Sequence, residues 1–517
     1  MAWKSSRGLF FLISAFMLQI AHISVAGTIY VDANAAGANN GSSWENAYIY
    51  LQDALTAAQS DDEIWVAKGT YKPDQGYGIT PGDRAVSFQL KDGVSLYGGF
   101  AGNETDVNQR DPCANETIFS GNIGQPDSNE DNSYHVVYAP NNITALIDGF
   151  TITKGKATGP YNRGGGFSAE YGSHTNLTIR RCRFVENFAQ YGGGLSTEYS
   201  YSEVLIDNCS FIRNSATRCG GGIYSSGQDI ITNSDFFENS ANDAGGGICN
   251  SGLPYEKILN CRFGKNKSLI QYTEGYGGGA IFTDCGVAIV NCVFTGNISA
   301  SRGSSIHFWA SIYDTSFLIN CTFTGNEWDP NSEEIYSWFD VWDLRVSNCI
   351  FQNNNNNGRI FYIGERCNLD IKFCDIQGGR SAISVDPNGF SHWCWGNIDA
   401  DPNFVNAPGP DGIYGTEDDN LRLSPSSPCI DAGDNSAVPV DVNTDLSGQP
   451  RFFDDPNTHD TGSGGPPIVD MGAYEYIPNI CGDTAHSYPI GDLDHNCRVD
   501  FYDFAIFTEH WIEGVTP

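Results

Sequence analysis

The feature that most constrains this chain is a six-residue motif, Cys-x-Phe-x-x-Asn, that returns at nearly constant spacing. It stands at 182–187, 209–214, 261–266, 292–297 and 321–326, with variants at 234–239 and 349–354 and a decayed copy starting at Cys374. The ring position moves from Phe184 to Ile376 in seven steps spanning 192 residues, about 27 per step. Between these copies runs a second column, Gly-Gly-Gly at Gly164, Gly192, Gly220, Gly245 and Gly277, each followed by an apolar residue. Aligning that apolar position gives Phe167, Leu195, Ile223, Ile248, Ile281, Ile306, Ile335, Ile360 and Ile383.

A unit this short, built from alternating segments such as Val204 to Phe211 and punctuated by Gly and Asn, holds short strands rather than helices. It cannot bury its apolar face alone, so neighbouring units must stack. The reading is an all-β chain, a right-handed parallel β-helix whose coils of about 27 residues stack at the strand spacing of about 4.8 Å. Equivalent residues then form ladders. Asn208, Asn233, Asn260, Asn291, Asn320 and Asn348 each precede the Cys/Ser position, where stacked amides can bond along the axis and tolerate left-handed backbone at a bend. The cysteines at 182, 209, 261, 292, 321, 349 and 374 form one column expected to face the core as small hydrophobes.

The FxxN and GG-A/G-I motifs resemble the repeats of the polymorphic outer-membrane protein family, whose passenger regions are β-helices at a cell surface. The opening, Thr28 to Asp32, an amphipathic stretch from Tyr48 to Ala58, and Asp62 to Tyr71, resembles the start of many secreted β-helix proteins, where a helix covers the first coil. The segments 423–433, 445–451 and 470–476 resemble the closing piece often found after such solenoids, read as a C-terminal cap. The division expected is a signal peptide at 1–26, an N-terminal cap and first coils at 27–147, the repeat β-helix at 148–400, a closing segment at 401–478 and a small module at 479–517.

Lys4 and Arg7, the apolar run from Leu9 to Ile20 and Ser24-Val25-Ala26 have the layout of a secretory signal, which predicts an extracellular or cell-surface protein. No other run approaches the ~20 apolar residues of a membrane-spanning helix, so none is expected once the signal is removed. Against 62 Asp+Glu stand only 28 Lys+Arg, a formal charge of −34. That balance excludes nucleic acid as a partner, because phosphate binding needs clustered basic residues.

The clearest ligand pattern lies near the end. Asp492, Asp494 and Asn496 take positions 1, 3 and 5 of a twelve-residue loop, the Arg498 carbonyl position 7, Asp500 position 9 and Asp503 position 12. Alternating oxygen donors of this kind suit Ca²⁺. Phe504, Phe507 and Trp511 would line one face of a following helix. The pattern resembles a single dockerin type I repeat, which implies Ca²⁺ binding and a cohesin-like docking partner. It departs from the EF-hand loop in having Cys497 at position 6 and Asp at position 12, and dockerins carry two copies. A second acidic loop, Asp411-Gly412 to Asp419, reads either as a cation loop or as a solvated turn.

If the isoleucine column faces inward, the residues one and three places later face outward. These include Tyr224, Phe282, His307, Tyr336 and Phe361 at the first position and Asp284, Trp309 and Trp338 at the second. Such a strip, with Phe282, Asp284, His307, Trp309, Tyr336, Trp338 and Phe361 as its members, either offers flat faces to sugar rings or is folded over by the long turns. The basic residues Arg183, Arg213, Arg262 and Lys265 read as charge compensation. Two functions stand open. One is a non-catalytic scaffold that binds an extracellular polysaccharide or a surface partner, with a calcium-stabilised terminal module. The other is an extracellular polysaccharide lyase or glycoside hydrolase on the same scaffold; no catalytic constellation is evident in the repeat.

Overall fold

The computed structural model describes residues 26–478, apart from 127, 170–174, 198–203, 253–255, 270–275, 310–313, 329–332, 340–342 and 353–358. The described residues form a parallel β-solenoid. Its first sheet has thirteen strands, from Thr28–Val31 to Phe390–Trp393; the second and third have eleven each, from Gly69–Tyr71 to Asp375–Ile376 and from Phe88–Gln89 to Ile383–Val385. A fourth, shorter sheet of six strands runs from Phe188–Tyr191 to Glu327–Trp328. Every pairing in these sheets is parallel. One coil shows the path: Val204–Asp207 in the first sheet, Ser210–Ile212 in the second, Ser215–Cys219 in the fourth and Ile223–Ser225 in the third.

The corners explain the two sequence columns. Between the first and second sheets the chain turns through left-handed backbone at Asn208 (φ 52°), Asn233, Asn260, Asn291, Asn320 and Asn348 (φ 56°). Asn tolerates that conformation better than most residues, and its amide reaches the next coil, as in Asn291 Nδ2 to Asn260 Oδ1 at 3.0 Å. The corner before the third sheet uses glycine: Gly220 has φ +70°, and a Cβ there would lie 2.2 Å from the Ile223 carbonyl oxygen. In the coil beginning at Gly277 the left-handed residue is Gly278.

Inside, the FxxN ring forms a continuous stack. Successive centroids from Phe184 to Phe351 lie 4.6–4.9 Å apart with planes within 8° of parallel. The motif's asparagine forms a second, fully buried ladder: Asn214 Nδ2 donates to Asn239 Oδ1 and to the Phe184 carbonyl of the preceding coil, at 3.0 and 2.7 Å. The cysteine column faces the core as expected. Its thiols donate to backbone carbonyls one coil back, as from Cys209 to Ile179 O at 3.5 Å. That use of the sulfur fits a small buried side chain rather than a metal ligand.

The helix Leu51–Ala57 buries Leu51, Ala54 and Leu55 in the same core and touches the edge strands Thr28–Val31 and Phe88–Gln89, so it covers the first coil. At the other end, residues 401–478 do more than close the last coil. They run back along the outer face of the second sheet: Ala473 N donates to Thr322 Oγ1 (3.0 Å), Asn291 Nδ2 to the Thr444 carbonyl (2.8 Å), and the Tyr414 ring lies on Gly325, where a Cβ would come 2.2 Å from the ring. A buried ion pair, Arg451 to Glu475 at 3.0 Å, organises this strap, with Arg451 Nη2 also donating to the carbonyls of Asp470 and Gly472.

Candidate functional site

The third sheet places the predicted strip on its outer face. Register runs Ile223, Ile248, Ile281, Ile306 and Ile335 and then to Phe361, not Ile360. Phe361 therefore faces the core, fully buried and edge-on to Phe351 at 5.0 Å, and Tyr362 takes the outward place. Phe361, expected on the outer face, thus lies inside because this coil is shifted by one residue, and with a two-residue period such a shift exchanges inside for outside.

The outward column is aromatic but mostly covered. Tyr224, Phe282, His307 and Tyr336 are buried, and Phe282 groups with Tyr224, Cys219 and Cys249 in a small apolar cluster on the outside of the sheet. Exposure begins three places along the strand: Trp338 is 38% exposed, and Trp309 and Asp284 are half-buried. Trp309 stacks between Tyr276 (5.7 Å, 5° between planes) and Trp338 (6.2 Å, 20°). Tyr276 is itself 38% exposed. Tyr336 stacks on Tyr362 at 4.8 Å and on Trp338 at 5.8 Å. Thus Phe282, His307 and Tyr336 form a floor, and Tyr276, Trp309, Trp338 and Tyr362 a partly open aromatic surface above it.

Charges border this surface. The Arg302 guanidinium sits 4.9 Å over the Tyr336 ring, and Arg163 lies 4.6 and 5.1 Å over Tyr191 and Tyr224 at the other end. Burial, with Arg302 nearby, holds the His307 imidazole down at about 3, so the ring is neutral at ordinary pH. Glu333 faces Arg359 at 3.7 Å, yet burial lifts its carboxyl to about 7. Glu334, bonded to Ser304 and Ser305, is likewise lifted to about 7 by burial. Asp284, raised by burial, accepts from Ser251 Oγ (2.7 Å) and Gly252 N (3.0 Å), so it orients the turn beside the aromatic surface.

The basic row behaves as compensation: Arg183 pairs with Glu116, Arg213 with Glu186 and Glu238, and Arg262 with Asp235 at 2.7 Å. The acidic loop from Asp411 is internally bonded. Asp411 Oδ1 accepts from Ile413 N (2.7 Å), Asp419 Oδ2 from Gly415 N (2.8 Å), and Thr416 Oγ1 donates to Asp418. Asp492, Asp494, Asn496, Arg498, Asp500 and Asp503 lie outside the described residues, as do Met1 to Val25.

Three features escaped the sequence reading. Tyr276 and Tyr362 join the aromatic surface, the first from the turn entering the third sheet and the second by the register shift. Two carboxylates also lie inside the solenoid. Asp229 and Glu256 neighbour each other on adjacent coils, in the column that holds Val204 and Val287, and both are fully buried. Asp229 accepts from Thr197 and Ser225 hydroxyls at 2.6 and 2.8 Å, while neither oxygen of Glu256 meets a donor in hydrogen-bonding geometry. Burial lifts Asp229 to about 6 and Glu256 well above the carboxylate range. Two successive acids in a column otherwise of apolar residues and one serine, Ser316, are the signal visible in the sequence.

Among known proteins, the family model of the Chlamydia polymorphic membrane protein (Chlamydia_PMP) repeat matches residues 208–226. No curated protein matches the chain significantly. Solved structures similar to it include the pectate lyase Pel9A (16% identity, 88% of this chain and 98% of that chain, TM-score 0.41). A rhamnogalacturonan lyase has 12% identity over 77% and 97% of the two chains, with TM-score 0.37. PfbA, a surface adhesin of Streptococcus pneumoniae, has 14% identity over 70% and 94%, with TM-score 0.28. Among the described residues no helix is long and apolar enough to cross a membrane.

Proposed function

We propose that this protein is a secreted or cell-surface β-helix that binds an extracellular polysaccharide, without cleaving it, on the outer face of its third sheet. The observation that carries this reading is the partly exposed run Tyr276, Trp309, Trp338, held on a floor of buried rings. Flat indole faces suit the apolar faces of sugar rings, and their rigidity lowers the ordering cost of binding. Arg302 and Asp284 at the margins supply a donor and an acceptor for sugar hydroxyls, and Arg302 a cation for uronate groups. The calcium loop at 492–503 belongs to this reading as a terminal module, and a cohesin-like protein as its docking partner.

The alternative, a polysaccharide lyase or glycoside hydrolase, would need an accessible acid or base. The carboxyls raised by burial on the third sheet and inside the solenoid, Glu333, Glu334, Asp229 and Glu256, are all buried, as are Asp470 and Glu475 in the strap, which favours binding over cleavage. The test is affinity electrophoresis through gels containing pectic, xylan-type and mannan-type polysaccharides, beside a depolymerisation screen with and without Ca²⁺. Retardation in one gel that Trp309→Ala/Trp338→Ala abolishes is the expected result. Unchanged retardation of the variant, or release of unsaturated or reducing ends, would refute the reading.

A further inference from the structure

The strap formed by residues 401–478 contains a second candidate ligand site, far in sequence from the loop at 492–503. Asp431, Asp454 and Asp460 each present a carboxylate oxygen within 4.8 Å of the others. Clustered acids alone mean little on a chain this acidic. What sets this group apart is Asp431, which is fully buried, with neither carboxylate oxygen meeting a hydrogen-bond donor in good geometry. The backbone of Asp455 faces it and eases the cost of burial without offsetting it, and the neighbouring acids add repulsion, so the carboxyl is lifted to about 7. Its backbone is committed elsewhere: Asp431 N donates to Asp470 Oδ1 (2.7 Å), and its carbonyl accepts from Thr461 N and Gly462 N (3.0 Å each). The side chain is therefore held in place, aimed at the other two acids. Asp454 is exposed and Asp460 half-buried, so the group opens to solvent on one side.

We infer that Asp431, Asp454 and Asp460 bind a Ca²⁺ ion. All the donors are hard oxygens, with no His or Cys among them, which disfavours zinc and copper. An ion entering from the solvent side would give the buried carboxylate the partner it lacks and cancel the mutual repulsion of the three acids. It would also tie two strap segments together close to the solenoid: Asp434, three residues beyond Asp431, exchanges hydrogen bonds with Asn348 at the end of the outer Asn ladder and pairs with Lys372 at 2.6 Å. The ion would thus fasten the strap to the last coils.

The test uses full-length protein stripped with EDTA, at pH 8, where Asp431 is ionised in both folded and unfolded chains. To remove the contribution of the loop at 492–503, the reference protein carries Asp492→Asn/Asp494→Asn. Ca²⁺ at about 100 times its Kd raises the Tm of this reference by about 3 °C. Adding Asp454→Asn/Asp460→Asn abolishes the increment, and the exposed Asp454→Asn alone at least halves it, which keeps the test open should the double variant misfold. Asp431→Asn gives a signature that a purely structural acid would not: it raises Tm in EDTA, by removing an unpaired buried charge, and lowers Tm relative to the reference in Ca²⁺. A reference protein indifferent to Ca²⁺, an increment surviving Asp454→Asn/Asp460→Asn, or an equal increment from Mg²⁺ would overturn the assignment.

Discussion

The interior asparagine ladder is buried throughout, whereas the outer one is open at Asn208, Asn233 and Asn260 and covered only from Asn291 on, and that difference sets a quantitative expectation. In the interior ladder, Asn239 Oδ1 accepts from Asn214 N and Nδ2, both at 3.0 Å, while Asn239 Nδ2 donates to the Phe211 carbonyl at 2.7 Å and to Asn266 Oδ1 at 3.0 Å. Truncation to alanine breaks all four. Asn214 Nδ2 keeps its bond to Phe184 O, and Asn266 Oδ1 keeps the backbone N–H of residue 239. The Asn214 N–H and the second hydrogen of its side-chain amide keep no such substitute in the dry interior, whereas the Phe211 carbonyl retains its partner in the parallel strand ladder. At about 1–3 kcal/mol for each orphaned group, Asn239→Ala costs about 2–6 kcal/mol. In the outer ladder, Asn260 makes side-chain bonds of 3.2 Å to Asn233 and 3.0 Å from Asn291. Asn233 is exposed, and Asn291 retains the Thr444 carbonyl. Asn260→Gly keeps the left-handed backbone and leaves no orphan, so it costs about 1 kcal/mol, most of it glycine's chain entropy. Urea unfolding followed by tryptophan fluorescence, with the m-value checked for constancy, separates the two. Equal midpoints for both variants would refute the argument that the interior amides serve as backbone partners.

Three further outcomes follow from other parts of the molecule. The retained proton on Asp229 makes folding stability pH-dependent: the unfolded carboxyl ionises near 3.9, the folded one at about 6, so stability falls as pH rises through that window and stays lost above it. The loss is about 3 kcal/mol, and Asp229→Asn in a Glu256→Gln background should flatten that fall in pH-dependent chemical denaturation; an unchanged slope would show that the titrating group lies elsewhere. Glu256→Val, which restores the residue type of Val204 and Val287 in the same column, should raise the Tm because it removes a buried carboxylate that faces the Asn250 side chain only outside good hydrogen-bonding geometry. Phe361→Ala should cost about 3–5 kcal/mol and Tyr362→Ala about 1 kcal/mol in the same denaturation assay; the reverse order would place Ile360 back in the core column.

The solenoid was legible because its constraints repeat. A left-handed corner filled by Asn, a close-packed corner filled by Gly and a stacked ring each recur at about 27 residues, and several copies of the same demand outweigh the ambiguity of any one short strand. Cys182, Cys209 and Phe211 fell where their column said. The register at Phe361 was lost because the Gly triplet that marks the corner is replaced there by Gly358-Arg359-Ile360, leaving nothing to anchor the count. The burial of His307 and Tyr336 was not readable, because what lies over an outward residue depends on packing outside its own repeat. The Asp431 group was hidden for a different reason: its members are 23 and 6 residues apart, in segments without strand periodicity, and only the folded strap brings them together.

The path of the strap is itself written into one column of the second sheet. Its first outward position reads Arg183, Ser210, Asp235, Arg262 and then Val293, Thr322, Ile350. The first four lie on a surface of ion pairs such as Arg262 with Asp235; the last three are 5%, 1% and 1% exposed beneath 401–478. Val293 packs with Leu421 and Ala473, and Ile350 with Cys429, Ile430 and Met471. A charged residue at any of these three would be buried against apolar atoms, so the switch from charge to apolar at Val293 marks where the strap's apolar side packs, with its turn at Gly415 reaching one coil further onto Gly264 and Lys265. The same switch leaves the third sheet's outer face untouched, and the aromatic surface of Tyr276, Trp309 and Trp338 occupies coils that the strap covers on a different side. The fold can therefore fasten its C-terminal segment without closing the surface proposed to bind glycan.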